Sequence, residues 1–355
     1  MKKLVVILML FVAANMSFGG IYYWNPATGS SVFSLGTNWS TAPGSASDTL
    51  HVGGNTTTYP NSANLAKLTG AWGVYYGTGA ATNDDALIVG QAGTGNMELD
   101  NGTNVAYFKS VIVGDKGYTG TMTITSGTIS TDASVDTGYL TVGRNSTSGS
   151  TTPGTGYLYI NGGTVNMDRI TIGELTSGNT VAGIGHIVLQ NDGVINLQCV
   201  KTAAAGLKVN NGDFKWTDNG SSTVTTGYLT VNTATLIFEI GADGSIGEDG
   251  KGINVINNGV AGGPGTALFS ANALIDLSFL STPIISQWIT LVTAANGITL
   301  SDDTLLTQAS INAGWTYQIT GDAGGLQTLQ VMIPEPATIS LLVMGVMGLL
   351  VRRGK

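Results

Sequence analysis

One short pattern, repeated, limits what this chain can fold into. Gly-x-apolar-x-apolar-x-x-Gly-Thr occurs as Gly95-Asn-Met97-Glu-Leu99-Asp-Asn-Gly102-Thr103, as Gly120-Thr-Met122-Thr-Ile124-Thr-Ser-Gly127-Thr128 and as Gly156-Tyr-Leu158-Tyr-Ile160-Asn-Gly-Gly163-Thr164. A degenerate fourth copy, Gly185-His-Ile187-Val-Leu189-Gln-Asn-Asp192-Gly193, slips its second glycine by one residue. Each copy is preceded by a shorter motif: Leu87-Ile-Val-Gly90, Val111-Ile-Val-Gly114, Leu140-Thr-Val-Gly143 and Ile170-Thr-Ile-Gly173, whose glycines are spaced by 24, 29 and 30 residues. The variation lies in the loops, since Gly90 and Gly95 are five residues apart and Gly143 and Gly156 thirteen. Fixed strand lengths with elastic loops suit a stack of coils, in which strands must register on their neighbours while loops only project.

Within each copy the apolar residues alternate, so Met97 and Leu99, Met122 and Ile124, Leu158 and Ile160, and Ile187 and Leu189 face one side. Each repeat supplies three short strands: the apolar-x-apolar-Gly segment, the Gly-x-apolar segment, and one after Gly-Thr, as in residues 104–108 or 165–169. Three strands per 24 to 30 residues is the arithmetic of a parallel β-helix rung. No rung buries its apolar face alone, so stacking must supply the stability. A β-sandwich or propeller is the competing architecture, but a propeller blade needs about 40 residues or more. Composition agrees with an all-β chain: 52 of 355 residues are glycine, 10% are charged and 42% are hydrophobic, too apolar for a disordered Gly-rich linker.

The Gly-x-Leu-x-Ile-x-x-Gly-Thr units are similar to the β-strand repeats of secreted bacterial β-helix proteins, autotransporter passenger domains among them. That resemblance implies a right-handed parallel β-helix over residues 87–232. Residues 20–86 carry Trp24, Asn38-Trp39-Ser40, Pro43 and Asp48-Thr-Leu-His51-Val52, similar to the opening segment that caps the first rung in such proteins. Residues 233–333 hold apolar stretches at 235–240, 273–279, 287–292, 314–319 and 326–332, expected to form the terminal rungs and a C-terminal β cap, since an open end would expose an edge.

Both ends carry export features. Residues 1–19 read as a secretory signal helix: Lys2 and Lys3, an apolar stretch from Leu4 to Ala14, and Ser17 and Gly19 as the small-x-small cleavage site. The alternative is a buried N-terminal helix. At the other end, in 334–355, Pro334-Glu335-Pro336 is followed by the uncharged stretch 337–351 and then by Arg352, Arg353 and Lys355. This tail resembles the PEP-CTERM sorting signal of Gram-negative bacteria, with Ile333 where that family usually has Val. The resemblance implies a transmembrane helix in the inner membrane and an exosortase, a membrane-embedded cysteine protease, that removes the tail near Pro334–Pro336. The body would then be released to the cell surface or an extracellular matrix. The alternative is a permanent anchor; in either case the basic end stays cytoplasmic.

Ionisable chemistry is sparse. Residues 20–333 contain 21 acidic and 9 basic residues, a net charge of −12, which disfavours nucleic acid or an anionic membrane surface as a partner. Cys199 is the single cysteine, so no internal disulfide can form. His51 and His186 show no metal or triad spacing, and His186 occupies the outward position held by Asn96, Thr121 and Tyr157 in the sister copies. Asp168-Arg169 is the best acid and base pair for a polysaccharide lyase or hydrolase, with a surface ion pair as the plainer reading. Asp243, Glu248 and Asp249 are calcium candidates because they set oxygen ligands on a Gly-rich turn. Tyr157 and Tyr159 either stack on sugars or pack in a ladder. No cofactor is expected. The leading expectation is a non-enzymatic structural or adhesive protein of the surface or matrix, in contact with extracellular polysaccharide. The alternatives are a polysaccharide-acting enzyme and a glycan-binding module.

Overall fold

The computed structural model describes residues 21–23, 49–53, 65–68, 86–131, 138–147, 149, 151–197, 206–217, 222–241, 246, 252–257, 264–280 and 287–333. These are nearly all strand, with one short helix at Gln308–Asn312. The strands form three ladders, each parallel along the repeats, and successive turns of chain add one strand to each. This arrangement is compatible with a β-helix.

The first ladder runs through Thr49–Val52, Ala86–Val89, Ser110–Asp115, Tyr139–Asn145 and Arg169–Leu175, into the leading halves of Gly206–Thr217 and Tyr228–Ile240. The second takes Ala66–Leu68, the start of Gly95–Tyr107 and of Thr119–Ser130, Thr155–Asn161, Ile184–Gln190 and the trailing halves of the same two long strands. The third takes the ends of Gly95–Tyr107 and Thr119–Ser130, then Thr164–Asn166, Val194–Leu197, Thr223–Thr226, Ile253–Val255 and Ile289–Ala294. The parallel register ends in an antiparallel pair: Gln327–Met332 lies against Ile289–Ala294, and Thr316–Gly321 against Gln327–Met332.

Register turns the sequence alternation into columns. Met97, Met122, Leu158, Ile187, Phe214 and Leu236 stack in the second ladder, and Leu87, Val111, Leu140, Ile170, Leu207 and Leu229 in the first. All are buried, each Leu or Ile worth about 1.5 to 3 kcal/mol. The columns also reveal a coil that the pattern misses. Leu207-Lys-Val209 leads to Gly212-Asp-Phe214-Lys-Trp216 across a corner of two residues, and Phe214 and Trp216 fill the places of the usual aliphatics.

The motif glycines mark where successive coils touch. Gly90, Gly114, Gly143 and Gly173 close the first-ladder strands with φ of 79, 77, 74 and 70°. A Cβ on Gly114 would lie 2.0 Å from the Thr155 carbonyl oxygen of the next coil, and one on Gly120 2.0 Å from that of Val89 in the preceding coil. The backbones therefore approach too closely there for any side chain. At the second corner the demand is looser: the positive φ passes from Gly102 and Gly127 to Gly162 and then to Asn191 and Asp192, residue types that tolerate it. This is why the fourth copy slips.

The outer faces of the first two ladders differ. Strict alternation with a solvated outer face holds for the second ladder, as in Thr155–Asn161, but not for the first. Ile88, Ile112, Thr141 and Thr171 point away from the core columns yet are 6%, 3%, 0% and 4% exposed. Both faces of these strands are buried, so they read as continuous apolar runs, Leu87-Ile-Val89 and Val111-Ile-Val113.

Candidate functional site

The charged residues fall into three settings. The first is structural and lies at the corner after the first ladder. Asp115 is fully buried. Its Oδ2 accepts from Arg144 Nη2 at 2.7 Å, Ser146 Oγ at 2.7 Å and Gln91 Nε2 at 3.0 Å, and its Oδ1 from the Lys116 and Ser146 amides at 2.8 and 3.0 Å. Three consecutive coils are thereby tied to one carboxylate. In the outward row of the first ladder, His51 stacks in register with Ile88. Burial, then the charge of Lys116, pushes its imidazole from 6.5 down to about 4, against a smaller upward pull from Asp115.

The His51 displacement has a consequence for stability. A histidine whose folded value lies below its unfolded one leaves stability intact above 6.5; stability is lost as pH falls, because the unfolded chain takes up the proton first. At about 1.4 kcal/mol per tenfold displacement, the descent from 6.5 to about 4 should cost about 3 kcal/mol. Urea denaturation across that window measures it. His51→Ile, which extends the row of Ile88 and Ile112, should flatten this part of the curve.

The second setting is the outer face of the second ladder. Tyr157 stacks on His186 with ring centroids 4.9 Å apart and an interplanar angle of 14°, and His186 Nδ1 lies 2.5 Å from Asp213 Oδ2. These residues share one register row across three coils. Tyr157 and His186 are thus ladder residues packed on each other. Lys67 bridges Glu98 at 3.1 Å and Asp100 at 2.8 Å, and Lys215 pairs with Glu239 at 2.8 Å.

The third setting is an open groove of about 450 Å³ on the flank of the first ladder. Arg169, Thr171 and Glu174 come from one coil, Lys208 and Asn210 from the next, and Asn232 from the one after. Leu175, half exposed, and Ala182 add an apolar wall. Arg169 Cζ sits 5.5 Å from the Tyr139 ring centroid, and Lys208 Nζ 5.7 Å from that of Tyr228. Gly206, between Arg169 and Tyr228 in register, makes room for that ring: a Cβ there would be 2.8 Å from Tyr228 Cδ1. Thr141 Oγ1 donates to Glu174 Oε2 at 3.4 Å. Asn232 Nδ2 donates to Asn210 Oδ1 and Ser270 Oγ to Asn232 Oδ1, both at 2.7 Å, which fixes the amide orientations.

The structure separates Asp168 and Arg169, the best acid and base pair the sequence offers for a lyase or hydrolase. Asp168 Oδ2 accepts the Gly138 amide at 2.7 Å, a corner contact, whereas Arg169 turns into the groove. Among the described residues no group of three His, Cys, Asp or Glu could hold a metal, and no helix is long and apolar enough to cross a membrane. The cleavage pair Ser17 and Gly19, the tail residues Pro334, Glu335, Pro336, Arg352 and Arg353, the calcium candidates Asp243, Glu248 and Asp249, and Cys199 all lie outside the described residues. Compared with known protein families, with curated proteins and with solved structures, the chain matches none.

Proposed function

We propose that the chain is an exported structural or adhesive protein of the cell surface or extracellular matrix of a Gram-negative bacterium. Its body is a right-handed parallel β-helix, the hand expected for parallel crossover connections. The observation that carries the reading is the three parallel ladders, repeated coil on coil with inward aliphatic columns. A long, regular flank of this kind suits lateral contact with matrix material. The antiparallel strands at 316–321 and 327–332 act as the C-terminal cap, and residues 20–86 supply the N-terminal cap together with the first strands of the stack, Thr49–Val52 and Ala66–Leu68.

Export proceeds through the signal peptide at 1–19. An exosortase-type protease then acts on the tail, with Pro334-Glu335-Pro336 as its recognition element and 337–351 held in the inner membrane. Mass spectrometry of the protein released by its native host tests this: the C-terminus should fall near Pro334–Pro336. A released form ending at Lys355 overturns the sorting step.

A further inference from the structure

We infer that the groove of Arg169, Glu174 and Lys208 is a binding site for an acidic saccharide, a sugar carrying a carboxylate beside free hydroxyls. This deepens the adhesive reading by naming a ligand chemistry, and it rests on that reading only for the biological setting. The argument begins with charge. In a body of net −12, cations should find carboxylates, and Lys67, Arg144 and Lys215 do. Arg169 and Lys208 make no ion pair among the described residues; each is held instead over a tyrosine ring. Arg169 Nε is also buried without a hydrogen-bond partner. Two cations fixed by aromatic faces, in one groove, keep their forked and point-charge donors for something the protein does not supply.

The rest of the wall narrows the ligand. Glu174, on the wall of the same groove, accepts from hydroxyls and repels a second anion. Asn210 has its Oδ1 occupied by Asn232, so its Nδ2 donors are left to point at a ligand oxygen. Thr171 adds a hydroxyl, and Leu175 an apolar patch on which a pyranose ring can lie. One negative charge, several hydroxyls and an apolar ring face describe a uronate residue. A volume of about 450 Å³ falls among small-molecule sites, which span roughly 300–1,000 Å³.

Isothermal titration of the released protein with methyl galacturonoside, a single uronate, tests the inference. Its methyl ester, inorganic phosphate and a poly-glutamate peptide serve as comparison ligands. The acid should bind, with affinity falling as salt rises, and the ester about tenfold more weakly, as expected for loss of a charge-assisted contact. Lys208→Gln should weaken the acid by about tenfold and leave the ester unchanged, and Arg169→Gln should do the same if it keeps its unfolding midpoint. No binding of the acid, equal binding of acid and ester, equal affinity in Lys208→Gln, or tighter binding of phosphate or poly-glutamate would each overturn the site. These outcomes are independent of where the tail is cleaved.

Discussion

Gly114→Ala should lose about 2–5 kcal/mol of stability, far more than a surface alanine costs. Two terms combine. The backbone at Gly114 has φ of 77°, which costs an L-residue about 1–2 kcal/mol. The new methyl would also meet the Thr155 carbonyl oxygen at 2.0 Å, its carbon at 2.3 Å and the Gly156 nitrogen at 2.6 Å. All three atoms are backbone, so relief requires shifting a coil, and forced overpacking costs about 1–3 kcal/mol. Gly102→Ala separates the two terms. Its φ is 63° but nothing lies within 4 Å of its Cβ, so only the backbone term, about 1–2 kcal/mol, should appear. Urea unfolding of both variants reads the difference, and equal losses would show that coil contact plays no part at the first corner.

Asp115→Ala should cost about 3–5 kcal/mol, the range for removing one partner of a buried ion pair. The variant abandons five hydrogen bonds and leaves the Arg144 side chain, 16% exposed, without its counter-charge. Burial alone would raise the Asp115 carboxyl; hydrogen bonding and charge from Arg144, with Ser146 and Gln91, outweigh it and hold the group below the usual 3.8. A lowered carboxylate stabilises the fold above 3.8, and that contribution is lost as pH falls through the folded value. The wild-type curve should therefore descend twice on acidification, first from 6.5 to about 4 through His51 and then below 3.8 through Asp115. Asp115→Ala should shrink the lower descent and leave the part due to Asp100, whose carboxyl Lys67 also holds below 3.8, and stability measurements at successive pH values resolve the change.

Much of the fold is legible in the sequence because its strongest rule is local. Gly95 to Thr103 and its copies place two aliphatics on one side and glycines at the corners, and the chain obeys. The coil at 206–217 escapes notice because its corner has shrunk and its core residues have become Phe214 and Trp216. The buried outer face of the first ladder also departs from a two-residue alternation, since Ile88 and Ile112 look like core when read singly. The groove is least legible. Arg169, Lys208 and Asn232 are far apart in sequence and meet only through register. Sequence adjacency misleads in the other direction: Asp168 and Arg169 are neighbours, but a corner turns one toward the Gly138 amide and the other onto Tyr139.

The C-terminal strands have a mechanical consequence. The third ladder is closed by Gln327–Met332. The second continues into Leu274–Phe279 and ends where Thr307 and Ser310 hydroxyls tie down Asp276 and the Leu277 amide. The first continues through Thr266–Phe269 and stops at Ile298–Leu300, whose backbone makes one described side-chain contact, the Ile298 amide donating to Gln327 Oε1. The described end of the molecule is thus fastened on two sides and loosely on the third. A tensile load along the stack would not be shared equally, and rupture would start as a peel from Ile298–Leu300, with the opposite sides serving as the hinge.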